Sequence, residues 1–247
     1  MKAMSEGGKI RVDLLLVERG LAESREKAQA LIMAGEVLLD GQKAAKPGQP
    51  VAADAVLEVL ARPPYVSRGG RKLAGALQRF PIDLAGKICL DIGSSTGGFT
   101  DAMLQAGAAH VHAVDVGAGQ LAWSLRTDPR VRLHEGINAR ELRFADIGEP
   151  VDFLTCDVSF ISVTLILPAA VPLLQPPGQM VILIKPQFEV GKGQVGKGGI
   201  VRDPQLHQAA CERVTGAVRN LGFETSIMDS PIFGAEGNKE FLLYAHH

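Results

Sequence analysis

The spacing of hydrophobic residues predicts a small mixed unit at the start of the chain. Apolar side chains recur at helical spacing in two short stretches, the second bounded by Ser24 and Gly35, and this predicts two short helices. Apolar runs over 36–39 and 51–60 predict strands, and Asp40-Gly41 after the first run is typical of a tight hairpin turn. Together these elements form an α/β unit of about sixty residues, near the smallest size that folds alone.

From residue 87 onward, short β-rich runs alternate with helical stretches. Such alternation predicts a mostly parallel sheet with helices on both faces, which is the doubly wound α/β architecture. In a sheet of this kind, ligands bind beyond the carboxyl ends of the strands. The predicted strands are 88–91, 111–116, 151–156, 180–185, 225–228 and 240–244, and the clearest helices are 98–106 and 205–221.

The composition narrows the class of protein. With 26 Lys+Arg, 27 Asp+Glu and a net charge of −1, the 247-residue chain has no overall bias towards nucleic acid or membranes, so any basic site must be local. Cys89, Cys156 and Cys211 lack CxxC spacing, which favours reduced thiols in a cytoplasmic protein. We find no cluster of histidines and cysteines and expect no metal. No apolar run reaches the ~20 residues of a membrane span, and the N-terminal segment lacks the core of a signal peptide.

Positive charge is concentrated in the segment YVSRGGRKLAGAL, residues 65–77. It carries Arg68, Arg71 and Lys72, with Arg79 just beyond it, and it contains no acid. Its paired glycines predict a tight turn, and we expect the helix that follows to begin at Lys72. The cations either contact the phosphates of a nucleic acid or form a solvated basic linker.

A glycine-rich segment, LDIGSSTGGFTDAML at residues 90–104, follows a predicted strand and leads into a predicted helix. Such a loop lets backbone approach a ligand, and Asp115 at the end of the next strand suits ribose hydroxyls. These features alone fit nicotinamide-dependent enzymes and methyltransferases about equally well, so both functions stay open at this point. The order D-x-G-x-S-x-G-G, with Asp91 directly before the turn, resembles the S-adenosylmethionine (SAM) loop of class I methyltransferases. The residues expected to bind SAM are Asp91, Gly93, Ser94, Ser95, Gly97, Gly98, Asp115 and Asp157.

A second glycine-rich segment, GKGQVGKGG at 191–199, nearly matches a P-loop. Gly198 stands where the magnesium-binding hydroxyl of a P-loop should be, and Pro204 follows instead of a long helix, so nucleotide hydrolysis is not implied. We interpret the segment as a basic loop, with Lys192 and Lys197, that approaches a polyanionic substrate. The alternative is a solvated flexible turn.

Polar side chains follow two further strands of the predicted sheet. Asp157 comes directly after the apolar run of FLTCD, and Lys185 closes the run VILIK. Both should face the same crevice as Asp91 and Asp115, because the carboxyl ends of parallel strands meet at one edge. A lysine at the end of a buried run is costly without a partner, which marks Lys185 as a candidate functional residue.

The first unit resembles the S4 domain, an RNA-binding module of ribosomal proteins and RNA-modifying enzymes. The shared pattern, R-x-D-x-x-L-x-x-x-G-L-x-x-S-R-x-x-A-x-x-L-I-x-x-G-x-V, runs over residues 11–37, and the alternative is a generic helical hairpin. Residues 1–62 contain nine basic and nine acidic side chains, so phosphate binding requires the cations to be segregated onto one face. The resemblance implies that Arg11, Arg25 and Lys27 bind RNA.

Lys72, Asp157, Lys185 and Glu240, in this order, resemble the Lys–Asp–Lys–Glu set of FtsJ-type ribose 2′-O-methyltransferases. With the S4 pattern in front, residues 10–245 resemble the TlyA family, rRNA 2′-O-methyltransferases that are also called haemolysins. The motifs that carry this resemblance are SRGGRKL, DIGSSTGGFTD, CDVSFIS, LIKPQFE and GNKEF.

The resemblance implies methyl transfer from SAM to a cytidine ribose 2′-hydroxyl in 23S rRNA and, in some members, in 16S rRNA; the short termini favour 23S alone. Lys185 would take the hydroxyl proton, and Lys72 would favour the neutral form of that amine and stabilise the developing oxyanion. Asp157 would orient Lys185, and Glu240 would hold a lysine in place. The other acids within reach are Glu236 and Glu189.

The resemblance also predicts the domain organisation. It implies an S4 RNA-binding domain over 1–61, a basic linker over 62–71 and a class I (Rossmann-like) SAM-dependent methyltransferase domain over 72–247. The expected partners are rRNA and ribosomal subunits, in the cytoplasm. The residues expected to contact RNA are Arg11, Arg25, Lys27, Arg68, Arg71, Lys192 and Lys197.

Three other functions stay open at this stage. A membrane-active haemolysin would need an amphipathic or spanning segment, and a catalytically silent RNA-binding protein would show an altered Lys185 or a broken glycine loop. A base methyltransferase would often carry an acidic/Asn-Pro-Pro-aromatic motif after the fourth strand, where this chain has DVSF. The sequence shows none of these features.

Overall fold

The computed structural model describes residues 9–60 and 63–247, and the chain divides into two compact units, Met1–Pro63 and Pro64–His247. The predicted boundary at 61–62 lies outside the described residues. The helices are α1 (Val12–Glu18), α2 (Arg25–Met33), α3 (Arg68–Arg79), α4 (Gly98–Gln105), α5 (Trp123–Arg126), α6 (Phe144–Ile147), α7 (Leu167–Ala170), α8 (Pro186–Glu189) and α9 (Pro204–Arg219). The strands are β1 (Lys9–Arg11), β2 (Val37–Leu39), β3 (Gln42–Lys43), β4 (Pro50–Ala52), β5 (Leu57–Val59), β6 (Ile88–Ile92), β7 (His110–Asp115), β8 (Val131–Glu135), β9 (Val151–Cys156), β10 (Leu174–Ile184), β11 (Glu224–Asp229) and β12 (Phe241–His246).

The first unit packs α1 and α2 against short antiparallel strands. Ser24 caps α2 by accepting a hydrogen bond from the Lys27 amide, and β2 and β3 form the predicted hairpin. The single strand predicted over 51–60 was wrong. A turn at its centre divides it into β4, which pairs with β1, and β5, which pairs with β2. The two halves of the alternating pattern therefore belong to two different sheets.

A buried carboxylate organises the polar side of the first unit. Asp13 has no exposed side-chain surface, and it accepts hydrogen bonds from Arg11 at 2.7 and 2.9 Å, from Arg25 at 3.1 Å and from Gln29 at 2.9 Å. The Arg11 guanidinium holds the pKa of Asp13 well below its usual range, against the opposing effect of burial. The two arginines that we expected to contact RNA therefore also hold this unit together.

The lowered pKa of Asp13 predicts that the first unit loses stability in acid. The carboxylate stabilises the folded state fully above its ordinary pKa of about 3.9, and that contribution falls as the pH drops towards the lower folded-state value. We expect Asp13→Asn to reduce the stability of this unit by about 1–3 kcal/mol at neutral pH, and we expect the difference from wild type to shrink between pH 5 and 3. Urea-dependent hydrogen exchange of the amides of α1 and α2 measures it.

The exposed Asp54 of the same unit provides the control, since Asp54→Asn should change stability little at any pH. If Asp13→Asn and wild type showed the same difference at pH 3 as at pH 7, the ionised carboxylate would not be the source of the stability.

The second unit contains a seven-stranded sheet in the order β11-β12-β10-β9-β6-β7-β8. The five strands β10, β9, β6, β7 and β8 are parallel, and β12 and β11 continue the sheet antiparallel to them. The carboxyl ends of β6, β7, β9 and β10 therefore meet at one edge, as the alternation of elements predicted. Each face of the sheet has its own apolar core, one including Leu90, Leu154 and Ile182 and the other including Cys89, Phe153 and Val181.

The longest helix that covers the sheet is amphipathic. The 16-residue α9 buries Ala210, Val214 and Val218 along one stripe and leaves its other sides polar. Among the described residues, no helix combines the length and the apolar character needed to cross a membrane.

At the opposite, amino-terminal side of the sheet, the structure brings together His110, His112 and Glu149. Our search of the sequence for clusters of histidines and cysteines did not find this group, which contains two histidines and a glutamate. Two of them alternate along one strand and the third comes from another loop, so their proximity depends on the sheet and not on sequence spacing.

Candidate active site

The glycine loop makes its tight turn directly against another strand end. Gly93 follows β6 with a φ of +83°, and a Cβ atom there would overlap the carbonyl oxygen of Asp157. Gly97 caps α4 with a φ of +98°, and a Cβ atom there would overlap Leu125. Both positions require glycine for their left-handed backbone and for their close contacts. The loop is therefore shaped by its neighbours as well as by its own turn.

The first turn of α3 packs against the start of α4 through small residues. A Cβ atom at Gly98 would overlap the Ser67 hydroxyl and the Gly70 amide, and one at Gly70 would overlap Tyr65. The helix begins at Arg68, so our expectation of a start at Lys72 after a turn at Gly69-Gly70 was wrong. These glycines lie inside the first turn because two helix ends approach each other closely there, and this places Lys72 one turn into the helix.

Asp91 lies beneath the loop instead of in the crevice, contrary to our expectation. Its side chain is fully buried, and its two oxygens accept hydrogen bonds from the hydroxyls of Thr100 at 2.6 Å and Thr155 at 2.9 Å. Burial raises its pKa to about 6, and the two hydroxyls oppose that shift. Because Thr100 belongs to α4 and Thr155 to β9, Asp91 ties both to β6 and so fixes the base of the loop.

Asp115 does lie in the crevice, at the end of β7. Its carboxylate accepts hydrogen bonds from the backbone amides of Ser95 and Gly117, each at 2.7 Å. It lines a cavity of about 740 Å³ together with Gly93, Ser95 and Asp157. The acid therefore holds the glycine loop from one side while its own surface faces the cavity.

A second, smaller cavity of about 180 Å³ contains two lysines. Lys185 Nζ lies 2.6 Å from Asp157 Oδ1 and donates a hydrogen bond to Ser159 Oγ at 2.9 Å. Lys72 Nζ lies 2.5 Å from Glu240 Oε2, and both of these side chains are about nine-tenths buried or more. The four members of the Lys–Asp–Lys–Glu set thus form two ion pairs, and three of the four line this cavity.

The alternative acids lie elsewhere. Glu189 is buried and accepts hydrogen bonds from the Ser162 hydroxyl and the Val163 amide, and Glu236 is exposed. Of Glu189, Glu236 and Glu240, Glu240 is the one that forms an ion pair with Lys72.

The two cavities share part of their walls. Gly93, Ser95, Asp157 and Ser159 line both, so a ligand in the larger cavity would lie next to the lysines of the smaller one. The Ser94 hydroxyl also lines the smaller cavity and is buried without a hydrogen-bond partner among the described residues. This hydroxyl is therefore available to hydrogen-bond with a polar ligand in the cavity.

Several lining residues were missed by our sequence analysis, among them Ser159, Asn138 and Phe160. Ser159 contacts Lys185, Asn138 lines the larger cavity, and Phe160 lines the same cavity while 92% exposed, with a φ of +68°. Ser159 and Phe160 belong to the CDVSFIS motif, whose position after a strand end was the available signal. Asn138 follows β8 without a recognisable pattern of its own.

The basic residues expected to contact RNA are spread over the chain. Arg68 donates a hydrogen bond to the Phe233 carbonyl at 2.5 Å, while Arg71, Lys27 and Lys197 are exposed. The side chain of Lys192 lies outside the described part of the structure. The near-P-loop segment forms two single turns of 3₁₀-helix, so it lacks the strand-to-helix geometry of a P-loop.

The fold and the site define the class of this protein: it has the class I methyltransferase fold, with the glycine loop after β6, the middle one of the five parallel strands, and an acid at the end of β7. Residues 65–247 match the family model of the FtsJ-like methyltransferases, and residues 10–57 match that of the S4 domain. A SAM-dependent methyltransferase from Mesorhizobium loti shares the fold at 13% identity, with a TM-score of 0.53 over 72% of this chain and 98% of its own.

More similar proteins combine both domains. The 16S/23S rRNA (cytidine-2′-O)-methyltransferase TlyA of Mycobacterium tuberculosis is 50% identical over 237 residues, which is 95% of this chain and 88% of the relative. A solved structure from Streptococcus thermophilus, named as a hemolysin, is 45% identical with a TM-score of 0.73 and covers 98% of this chain and 89% of its own. The chain belongs to the TlyA family of S4-containing, FtsJ-like methyltransferases.

Proposed function

We propose that this protein transfers a methyl group from SAM to the ribose 2′-hydroxyl of a cytidine in rRNA. The observation that carries the proposal is the Lys185–Asp157 ion pair, which lies where the two cavities of the crevice meet. The relative from M. tuberculosis is named for this reaction on 16S and 23S rRNA, so we include both RNAs as candidate substrates.

The larger cavity fits SAM. Its volume of about 740 Å³ lies within the range of sites for ligands of this size, and Asp115 at its wall suits ribose hydroxyls. Gly93 presents backbone where a side chain would fill the space, and the unpaired Ser94 hydroxyl offers a further contact nearby. When bound, SAM would supply a methyl group on a positively charged sulfur, and the sulfur–methyl bond would break, leaving a neutral thioether, as an aligned oxygen attacks the methyl carbon.

The chain's own residues would supply the proton transfer. A ribose hydroxyl is a weak nucleophile at neutral pH, so its proton must leave as the new O–C bond forms. We assign the acceptance of this proton to Lys185, and Asp157 stabilises the ammonium that results. Lys72 lines the same cavity and is held by its ion pair with Glu240. It stabilises the negative charge that develops on the hydroxyl oxygen.

RNA would reach this site from its exposed edge. The exposed ring of Phe160 lies at the mouth of the larger cavity and packs beside Phe188, with 5.3 Å between ring centroids. A solvent-exposed aromatic ring of this kind is suited to stacking on an unpaired base. The exposed Arg71 and Lys197 in the second unit, and Arg25 and Lys27 in the first, are suited to phosphate contacts. An rRNA substrate would put the activity in the cytoplasm.

The proposal is tested by incubating the full chain with isotope-labelled SAM and with purified 23S rRNA, 16S rRNA and intact subunits from cells that lack the activity. We expect label in cytidine 2′-O-methyl groups, located by the resistance of the modified linkage to alkaline cleavage. Label in a base would favour base methylation instead. SAM binding without labelled RNA would favour an RNA-binding protein without catalysis.

A further inference from the structure

We propose that His110, His112 and Glu149 form a binding site for a divalent transition metal ion of the zinc type. The three side chains lie at the amino-terminal side of the parallel strands, whereas the lysine pairs lie at the carboxyl-terminal side. The site is therefore separate from the methyl-transfer site, and the inference does not rest on the proposed reaction.

The sheet places the two histidines on one side. His110 and His112 are alternate residues of β7, and alternate residues of a strand point to the same face. Glu149 comes from the loop between α6 and β9, just after Gly148, whose φ of +85° ends the helix. Two ligands from a strand and one from a separate loop surround a point from different directions, which a metal ion requires.

The distances are close to those of a coordination site. His110 Nε2 and His112 Nε2 lie 2.9 and 3.0 Å from the same oxygen, Glu149 Oε1, and the ligand atoms of all three residues lie within 4.8 Å of one another. Zinc binds nitrogen and oxygen at about 2.0–2.1 Å, so donors in a tetrahedral site lie about 3.3 Å apart. The two distances to Glu149 Oε1 are a few tenths of an ångström shorter than this, so the carboxylate already lies near the position of a ligand.

A neighbouring histidine completes the arrangement that metal-binding histidines usually have. The other ring nitrogen of His112, Nδ1, lies 3.0 Å from Nε2 of His134 on β8, and His112 is fully buried. A tautomer in which Nδ1 donates to His134 would leave the lone pair of Nε2 free to bind a metal ion beside the Glu149 carboxylate. A partner that fixes the far ring nitrogen is typical of histidine ligands.

One cation competes for the carboxylate. The Arg132 guanidinium contacts Glu149 Oε1, but its side chain is about half exposed. It can therefore move into solvent when a divalent ion neutralises the carboxylate. The donor set of two imidazoles and one carboxylate leaves a fourth position for water and suits zinc better than magnesium or calcium, which prefer oxygen ligands. The ion would link β7 to the segment before β9 and so stabilise the second unit.

The test is zinc binding by the full chain. Isothermal titration with Zn²⁺ should show one saturable site, and the midpoint of thermal unfolding should rise with added Zn²⁺. Co²⁺ should replace Zn²⁺ and give the visible absorption of a tetrahedral nitrogen–oxygen site. We expect His110→Ala and Glu149→Gln to weaken binding by at least about tenfold, because each removes one of three ligands.

Two controls keep the test specific. The double variant His246→Ala, His247→Ala removes the terminal histidines, and Cys211→Ser removes the one cysteine of the three that is not buried; both should bind as wild type does. Glu149→Gln changes a partly exposed side chain without loss of volume. If His110→Ala does not fold, the zinc affinity of Glu149→Gln still tests the site. Binding that is absent in wild type, unchanged in Glu149→Gln, or lost in the terminal double variant would overturn the proposal.

Discussion

Replacing Lys185 by alanine should lower the rate of methyl transfer by about 10²–10⁴-fold, which is the usual contribution of a general base. The amine is the group that we assign to accept the hydroxyl proton, and its partners Asp157 and Ser159 cannot replace it at the same position. SAM binding should change much less than the rate, because Lys185 lines the smaller cavity and not the larger one. Single-turnover transfer of label to rRNA, together with SAM titration, measures both quantities.

A conservative variant separates proton transfer from charge. Lys185→Arg keeps a cation beside Asp157, but a guanidinium stays protonated at all working pH values and cannot act as a base. We expect it to be about as inactive as Lys185→Ala. Lys87→Ala, which removes an exposed lysine before β6, should transfer methyl at the wild-type rate. If Lys185→Arg kept most of the activity, Lys185 would act through its charge alone and the base would have to be another group.

Replacing Gly93 by alanine should damage the SAM site and the stability of the second unit together. The φ of +83° costs an L-residue about 1–2 kcal/mol, and the new Cβ atom would overlap the Asp157 carbonyl oxygen, which adds about 1–3 kcal/mol for overpacking. Relief of the overlap moves either the loop or the strand end that carries Asp157. We therefore expect SAM affinity to fall by at least about tenfold, equivalent to about 1.4 kcal/mol. Calorimetric SAM titration and urea unfolding measure the two effects.

Gly86 offers a matched control for this substitution. It has a φ of +70°, but a Cβ atom there would meet nothing within 4 Å. Gly86→Ala should therefore lower the stability of the second unit only by the backbone cost of about 1–2 kcal/mol, and it should leave SAM affinity unchanged. Equal losses of stability in the two variants, with normal SAM binding by Gly93→Ala, would show that the close contact with Asp157 does not shape the site.

Much of the fold could be predicted from local patterns. The alternation of β-rich runs and helical stretches indicated the parallel sheet, and the bounds of β9, Val151–Cys156, coincide with the prediction. The turn at 40–41 and the cap at Ser24 were also local signals, since turns and caps depend on a few neighbouring residues. The start of α3 was misjudged because two glycines in a basic segment indicate a turn by propensity, whereas packing against Gly98 holds them in a helix.

The position of Asp91 could not be predicted in the same way. Its place before the glycine loop suggested contact with a ligand, but the hydroxyls of Thr100 and Thr155 hold it below the surface. One of these threonines lies nine positions later in the chain and the other sixty-four positions later. Only the parallel pairing of β6 with β9, which sets Asp91 opposite Thr155, creates this contact.

By itself, the sequence determined the types of most elements, the glycine loop and the candidate site residues, because these follow from residues near one another in the chain. Only the tertiary structure decided which of them meet. Lys72 pairs with Glu240, which lies near the other end of the second unit's sequence. Two histidines of β7 contact Glu149, which belongs to a loop much later in the chain. Such distances are set by the order and register of the strands and by the packing of helices over them, and no local pattern of residues contains that information.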